Sequence, residues 1–277
     1  MTETPFFTVA LLTASVGVAS AAVASVFVAL PERARRALVP HLVSFATGAL
    51  LGAALLGLIP AAIDGAGPSG VRRIGLAIVG GLLLFFLLEK LVLWRHCHDE
   101  QPCEGHPTDG RSHGHHRGHG HEAGTVALGP MLLVGEAFHN VLDGVIVAAA
   151  YLTRPELGVA TALAVFAHEL PQEVGNIAIL IHAGVHRWRA LALNLLSSLG
   201  AVLGGLLACV LAGRALTILP YALAVAGASL LYVAVADLIP GLHRQVNPRR
   251  SVEQILLILA GLAVIWFTQH TEGPGFG

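Results

Sequence analysis

Two polar segments interrupt the apolar runs of this chain: Phe138-His139-Asn140-Val141-Leu142-Asp143-Gly144 and His168-Glu169-Leu170-Pro171-Gln172-Glu173-Val174-Gly175-Asn176. Each lies near the middle of a segment long enough to cross a bilayer, which takes about 20 residues as a helix. Ionisable groups at the centre of a membrane span are costly and by default mark a functional site. The two segments therefore predict a site inside a bundle of membrane-spanning helices.

Composition places the whole chain in the membrane class. Of 277 residues, 55% are hydrophobic and only 12% are charged, and the mean hydropathy is +0.73. A soluble domain carries about 25% charged residues. The net charge of −1 shows no nucleic-acid-binding footprint, and three cysteines do not make a disulfide framework.

Eight membrane-spanning helices are predicted, which gives an all-α, polytopic bundle forming a single transporter domain over 1–277. The spans are 6–30, 38–63, 71–94, 126–152, 157–183, 188–213, 217–242 and 252–269. Short turns with breaking prolines join most of them. The one long connection, 96–125, is predicted to be a disordered, histidine-rich loop between spans three and four.

The distribution of basic residues predicts the orientation. Twelve arginines and lysines lie in the connections after spans one, three, five and seven, and four lie on the opposite side. Both termini are therefore expected outside and the long loop in the cytoplasm. The N-terminus has no signal-peptide cleavage site, so the first span is expected to be retained. Lys90 is the one lysine, and this bias, together with high alanine and glycine content, favours a bacterial inner (plasma) membrane.

An internal repeat is suggested by spans two and seven. Residues 46–60 and 226–240 share seven of fifteen residues at a fixed offset of 180. The two spans run in opposite directions in the predicted topology, as in an inverted repeat. A 3+2+3 arrangement follows, with spans four and five as the central pair; chance similarity between two alanine- and leucine-rich helices is the alternative.

The polar residues of the central pair fall on helix faces, because residues three and four apart are neighbours. On span four the polar face comprises Glu136, His139, Asn140 and Asp143. On span five the i,i+4 pairs are His168 with Gln172 and Glu169 with Glu173. Imidazole and carboxylate ligands suit Zn²⁺ and also Fe²⁺, Mn²⁺, Co²⁺ or Cd²⁺, and the lack of Cys and Met argues against Cu(I). A hydrogen-bonded network that only packs the helices is the alternative.

These motifs resemble the paired signatures of the ZIP (Zrt/Irt-like) metal-ion transporters. The residues that carry the resemblance are His-Asn-x-x-Asp-Gly on span four and His-Glu-x-Pro-x-Glu-x-Gly on span five. The span-five motif is closest to the LIV-1-type branch and its bacterial relatives. The resemblance implies transport of Zn²⁺ or another divalent metal into the cytoplasm. It also implies a transport site, binuclear in some members, that is lined by His139, Asn140, Asp143, His168, Glu169 and Gln172. Glu136 matches an acid often found before the family's histidine.

The chain departs from the family pattern at three places. Gln172 stands where LIV-1-type members usually have histidine, and Asn176 where they have aspartate. Span six has no acid in the stretch from Asn194 to Ser198, where some members supply one. We therefore expect one firmly held metal rather than two.

Further histidines suggest accessory metal contacts. In the loop, a cytoplasmic metal trap is predicted from His96, His98, His113, His115, His116, His119 and His121, with a solvated spacer as the alternative. An exit path is suggested by His41, His182, His186, His243 and Asp237, with His182 and His186 on one helix face; ordinary interfacial polar residues would look the same. Glu136 and Glu173 are further accessory candidates.

Two other functions compete with metal uptake. An intramembrane zinc metalloprotease is suggested because His168-Glu169-x-x-Gln172 is one residue from His-Glu-x-x-His. Gln172 and the nearby Pro171 count against it. A proton-coupled exporter with histidine-rich loops would be expected to have six spans and a soluble C-terminal domain. The predicted partners are divalent metal ions, the lipid bilayer and a second copy of the chain through Gly200, Gly204 and Gly205.

Overall fold

A computed structural model describes residues 4–97, 121–182, 184–212, 216–243 and 248–270, and within these ranges the regular structure is helical. The α-helices are α1 (Thr4–Ala29), α2 (Glu32–Gly52), α3 (Ile59–Ala66), α4 (Val71–Cys97), α5 (His121–Thr153), α6 (Pro155–His182), α7 (Arg187–Ala212), α8 (Leu219–Tyr232), α9 (Ile239–His243) and α10 (Pro248–His270). Short 3₁₀ turns, Pro68–Gly70 and Leu216–Ile218, precede α4 and α8.

The helices form eight rods of membrane-spanning length. A π-helical turn, Ala53–Leu58, joins α2 to α3, and a second, Val233–Leu238, joins α8 to α9. Among the described residues, seven rods are long and apolar enough to cross a membrane. The eighth, α6, has 28 residues but carries the polar segment, which lowers its hydropathy. The all-α membrane bundle predicted from the sequence is confirmed.

The two π-helical turns lie 180 residues apart, which is the offset of the sequence repeat. Each is followed two residues later by a proline, Pro60 or Pro240. Proline cannot donate its backbone hydrogen bond and crowds the preceding turn, and a local widening of the helix accommodates it. The matched turns support the inverted repeat, because the two prolines are accompanied by the same backbone geometry at equivalent positions.

The helices pack as two groups. The site group consists of α1, α5, α6 and α7, which contact one another extensively. The flanking group consists of α2 with α3, α4, α8 with α9, and α10. The central pair therefore packs with spans one and six. In an inverted repeat α2 corresponds to α8 and α10 corresponds to α4, so the contact of α2 with α10 is the counterpart of the contact of α8 with α4.

Glycines set the closest helix contacts in both groups. A Cβ atom on Gly144 would lie 1.9 Å from the Ala201 carbonyl oxygen, and one on Gly204 would lie 2.0 Å from that of Val141. In the flanking group, a Cβ on Gly48 would lie 2.0 Å from the Ile258 carbonyl oxygen. Small residues allow helix backbones in membranes to approach this closely.

The glycines that suggested a dimer face are used inside the chain. Gly200 and Gly204 pack against α5, and Gly205 packs against α1. The sequence basis for the homodimer was therefore wrong, because small-residue faces serve contacts within one bundle as readily as contacts between bundles.

Alanine dominates the interface between the two groups. On α6 it presents Ala160, Ala164 and Ala167, all at most 5% exposed, to the flanking group. Glu169 lies on the opposite face of α6, and His168, one turn from Ala164, lies at the border between the two faces. This helix is thus apolar and smooth on one side and polar on the other.

Several helix ends differ from the sequence prediction. Helix α4 continues to Cys97 and α5 begins at His121, so both enter the segment 96–125 that was predicted to be disordered. Helix α6 ends at His182, and Gly184 follows with φ +84. The Val185 amide donates to the Leu180 carbonyl across this turn, as in a glycine-terminated helix.

Candidate metal centre

Four side chains on α5 and α6 bring their ligand atoms together. These are His139 and Asp143, one turn apart on α5, and His168 and Glu169, adjacent on α6. One ligand atom from each lies within 4.8 Å of the other three. His168, Asp143 and Glu169 are at most 3% exposed, whereas the side chain of His139 is 26% exposed. We call these four residues the His/carboxylate cluster.

The separations in the cluster match those of a tetrahedral metal site. His139 Nε2 lies 3.2 Å from His168 Nε2, 3.6 Å from Asp143 Oδ2 and 3.5 Å from Glu169 Oε1. His168 Nε2 lies 3.4 Å from Asp143 Oδ2 and 3.6 Å from Glu169 Oε1. Four ligands about 2.0–2.1 Å from a central zinc ion would be about 3.3–3.4 Å apart. Five of the six distances between the ligand atoms are therefore close to those expected in a tetrahedral zinc site.

Unpartnered polar atoms are concentrated around this cluster. Among the described residues, nine buried side-chain nitrogen or oxygen atoms have no hydrogen-bond partner. Seven belong to α5, α6 or α7, and they are in Glu136, Asp143, Glu169, Gln172, Glu173, Asn176 and Asn194. Buried polar atoms are nearly always satisfied in native proteins. Such a concentration is typical of a ligand-binding site, and the two clustered carboxylates suit a divalent cation.

Backbone packing holds the cluster in place. Gly144 lies directly after Asp143 and contacts α7 through backbone, so α5 has little freedom to move at the level of this ligand. Helix α6 continues through Pro171 without interruption. Proline removes the amide donor that the Ala167 carbonyl would otherwise accept, so one carbonyl beside His168 lacks its helical partner.

Asn140 and Gln172, which the sequence also predicted as ligands, lie outside the four-atom group. Asn140 is 4% exposed, and its Nδ2 donates to the Glu136 carbonyl at 3.0 Å, which leaves its amide oxygen for a metal. With Asp143 and Glu169, Asn140 also lines a narrow cavity of about 10 Å³ between α1, α5, α6 and α7. The Gln172 side-chain oxygen is buried without a partner.

Glu136 lies one turn from His139 on α5. Its carboxylate is beside Asn176 of α6 and interacts electrostatically with His139, Asp143 and His168. Glu136, Gln172 and Asn176 therefore form a second polar layer next to the cluster. The sequence predicted the acid but not its contact with Asn176.

Glu173 faces a different set of residues from the other acids. Its Oε1 accepts hydrogen bonds from Ser20 of α1 at 2.9 Å and from Ser198 of α7 at 3.4 Å. Asn194 also lies beside it. Sequence reasoning missed these hydroxyl partners, because single serines in apolar spans carry no pattern of their own.

The proposed exit residues are dispersed. His41 is half exposed on α2, and its Nε2 lies 3.7 Å from Glu253 on α10. Asp237 is in the second π-helical turn and interacts electrostatically with Glu89 on α4 and with His139 and His168. His186 and His243 are exposed.

The predicted shared face of His182 and His186 is wrong. His182 ends α6, and His186 lies beyond Gly184, where the left-handed turn has already broken the helix. The side chain of His182 lies outside the described residues.

The predicted loop ligands also lie outside the part of the chain whose side chains are described. His96 and His121 occupy the ends of α4 and α5, and their side chains are not among the described ones. The others, His98, His113, His115, His116 and His119, fall between residues 97 and 121.

Comparisons with known proteins agree with the site. A family model described as ZIP Zinc transporter matches residues 6–269. Human zinc transporter ZIP13 is 31% identical to this chain, and the match covers 81% of the chain and 69% of that protein. The orangutan (Pongo abelii) ZIP13 is 32% identical, with 81% and 65% covered, and human zinc transporter ZIP4 is 33% identical, with 74% and 39% covered.

The chain thus spans about two thirds of the length of its ZIP13 relatives and less than half of ZIP4. These relatives are named as transporters, and nothing in the comparisons supports the protease alternative. The resemblance that was predicted from the two motifs is confirmed: the chain belongs to the ZIP zinc transporter family.

Proposed function

We propose that this chain carries Zn²⁺ across a membrane into the cytoplasm, and that the His/carboxylate cluster is the site that binds it in transit. The observation that supports this most strongly is the set of tetrahedral separations around His139, Asp143, His168 and Glu169. Two imidazoles and two carboxylates are ligands that zinc accepts. Asn140 and Gln172 supply weaker oxygen ligands beside it, and Fe²⁺, Mn²⁺, Co²⁺ and Cd²⁺ are alternative substrates of the same donor set.

We propose that transport proceeds by alternating access, with the site group moving against the flanking group. The alanine-rich face of α6 supports this, because methyl side chains protrude little across the interface between the two groups. Cluster ligands come from α5 and α6, both in the site group, so the coordination shell can move as a unit.

Zinc uptake into proteoliposomes that contain a trapped zinc-sensitive dye tests the function. Wild-type protein should accumulate zinc, and His168→Ala should abolish accumulation. The matched control is Ser229→Ala, which removes a buried polar group from the flanking group. Normal uptake by both His168→Ala and His139→Ala would show that the cluster is not the transport site.

Direction and chemistry distinguish the competing functions. In vesicles whose protein orientation is fixed by protease mapping, net export from the predicted cytoplasmic side would favour the exporter hypothesis. Cleavage of a membrane peptide by wild type, with loss in Glu169→Gln, would revive the protease hypothesis.

We also propose that the histidine-rich segment retains metal on the cytoplasmic side, as its composition predicts. Deletion of residues 98–120 should leave the initial uptake rate intact but reduce the amount of zinc held by the protein on that side. Unchanged retention would leave a spacer role. The bacterial inner membrane remains our proposed location on compositional grounds, and membrane fractionation of a bacterial source would test it.

A further inference from the structure

A second polar cluster lies within the site group. Glu173, 1% exposed, is surrounded by Ser20 from α1 and by Asn194 and Ser198 from α7, which are 0%, 1% and 5% exposed. We call these four residues the Glu173 cluster. Three different helices contribute to it, so it is assembled by the tertiary structure and not by one helical face.

The carboxylate of Glu173 is incompletely satisfied. Its Oε2 makes no hydrogen bond of full geometry, although the Asn194 amide lies close enough to the carboxylate to donate to it. Among the described residues, no arginine, lysine or histidine forms an ion pair with it. An uncompensated buried charge in a membrane span is expensive, so this carboxyl group is neutralised either by a proton or by a bound cation.

The hydroxyl groups of Ser20 and Ser198 do not complete the hydrogen bonding of the Glu173 carboxylate. Ser20 Oγ lies 2.9 Å from Glu173 Oε1 and 3.1 Å from the Gly17 carbonyl oxygen. Ser198 Oγ likewise lies 3.4 Å from Oε1 and 3.1 Å from the Asn194 carbonyl oxygen. A hydroxyl has one hydrogen and two lone pairs, so each serine can donate to only one acceptor and still offers oxygen to a cation.

The approach of α1 to α7 builds this geometry. A Cβ on Gly17 would lie 2.9 Å from the Ser198 Cβ, so glycine at this position lets the two serines reach the same carboxylate. The feature is therefore a packed arrangement of oxygen ligands with one negative charge.

We propose that the Glu173 cluster is a second cation site, separate from the His/carboxylate cluster, for a hard monovalent cation such as Na⁺. Carboxylate and hydroxyl oxygens suit hard cations, and the cluster lacks the imidazole and thiolate ligands that zinc prefers. Ca²⁺ takes six to eight oxygens, often with several carboxylates. A single carboxylate compensates a single positive charge.

Occupancy of this site would act on metal transport through α6. Glu173 lies one helical turn from Glu169, and a cation between it and the two serines would draw α1, α6 and α7 together. Coupling-ion sites at a helix junction beside the substrate site are a common transporter arrangement. The binding site is independent of the proposed zinc transport, whereas this coupling rests on it.

Thermal unfolding of the purified, zinc-free protein tests binding without any transport. NaCl, KCl and N-methylglucamine chloride are compared at equal ionic strength and fixed pH. We expect the wild-type Tm to rise with Na⁺ concentration, and Glu173→Gln to weaken the apparent Na⁺ affinity by at least about tenfold through loss of the charged ligand. Glu156→Gln, in the first turn of the same helix, is the matched control and should respond like wild type.

Milder variants keep the test decisive if Glu173→Gln does not fold. Ser20→Ala and Ser198→Ala each remove one oxygen ligand and should each weaken the apparent Na⁺ affinity by about threefold. This is a smaller effect than the loss of a whole hydrogen bond to a charged group. Equal Tm values in all three salts, or a Tm that follows pH but not Na⁺, would overturn the proposal in favour of a carboxyl that simply holds a proton.

Zinc uptake under an inward Na⁺ gradient tests the coupling. Wild type and Glu156→Gln should be stimulated, and Glu173→Gln should not. If the Na⁺-dependent Tm is present but uptake ignores the gradient, the site stands and the coupling fails. If zinc is not transported at all, the proposed function fails while the thermal result still decides the cation site.

Discussion

The site group and the flanking group are built from similar apolar helices, but they bury different side chains. Of the fourteen buried polar or charged residues described, eleven belong to α1, α5, α6 and α7. The flanking group buries only Ser44, Thr47 and Ser229 among them, none of which is ionisable in the physiological range. Backbone packing through glycine is equally close in both groups. The difference shows that close packing builds both groups of helices, whereas buried ionisable residues distinguish the site group from the flanking group.

The largest effect should follow from removing a cluster ligand. His168→Ala is expected to reduce zinc affinity and uptake by at least about 100-fold, because even outer-shell partners of metal ligands are worth about 10–100-fold. Ser229→Ala, the equivalent loss in the flanking group, should leave both unchanged. Zinc titration measures the affinity of the two variants, and vesicle uptake measures their transport. Equal losses in both variants would show that the site group is no more important for zinc than the flanking group.

A glycine substitution in each group should separate stability from function. Gly144→Ala and Gly48→Ala both place a methyl group against a backbone carbonyl and should each cost about 1–3 kcal/mol by overpacking. We expect Gly144→Ala also to weaken zinc binding, because it moves Asp143, whereas Gly48→Ala should affect stability only.

Gly80→Ala provides the control for this comparison, since nothing lies within 4 Å of the added Cβ. Unfolding in detergent and zinc titration of the folded fraction give the two measurements. Normal zinc affinity in Gly144→Ala would show that the cluster tolerates a shift of α5 against α7.

Selectivity should respond to a smaller change in the second polar layer. Gln172→His restores the residue usual in LIV-1-type members, and its imidazole would replace a buried, unpartnered amide oxygen. We expect preference for Zn²⁺ over Mn²⁺ to rise by about tenfold, because imidazole favours zinc more than the amide does. Competition uptake with both metals measures the ratio, and an unchanged ratio would place selectivity elsewhere.

The smallest effect should come from a polar contact within the flanking group. The Tyr232 hydroxyl of α8 donates to Glu89 of α4. Tyr232→Phe should lower the free energy of unfolding by less than about 1.5 kcal/mol and leave zinc affinity unaltered, since this hydrogen bond is at the exposed edge of the group. A loss of transport would instead connect this edge to the zinc path.

Sequence patterns were sufficient for the elements that depend on hydropathy and on helical spacing. The eight spans follow from apolar length, and His139 with Asp143 follows from i,i+4 spacing on one helix. The meeting of α5 and α6 at the same level was also predictable, because consecutive antiparallel spans joined by a short turn are neighbours.

Contacts between distant spans could not be read in this way. Ser20 lies 153 residues from Glu173, and neither serine partner belongs to a recognisable motif. The use of Gly200 and Gly204 within the chain was likewise open, since a small-residue face does not specify its partner. The break at Gly184 depended on a backbone conformation, which the spacing of His182 and His186 did not reveal.

The two polar segments by themselves predicted a metal site inside a membrane bundle, because ionisable groups at the centre of apolar spans are costly and by default mark a functional site, and the same segments carried the resemblance to the ZIP family. Only the tertiary structure decided which atoms converge. It brought four ligand atoms to tetrahedral separations, left Asn140 and Gln172 beside them, and turned Glu173 toward α1 and α7. The physical reason is that spacing fixes a helix face, whereas the packing of neighbouring helices decides what that face meets.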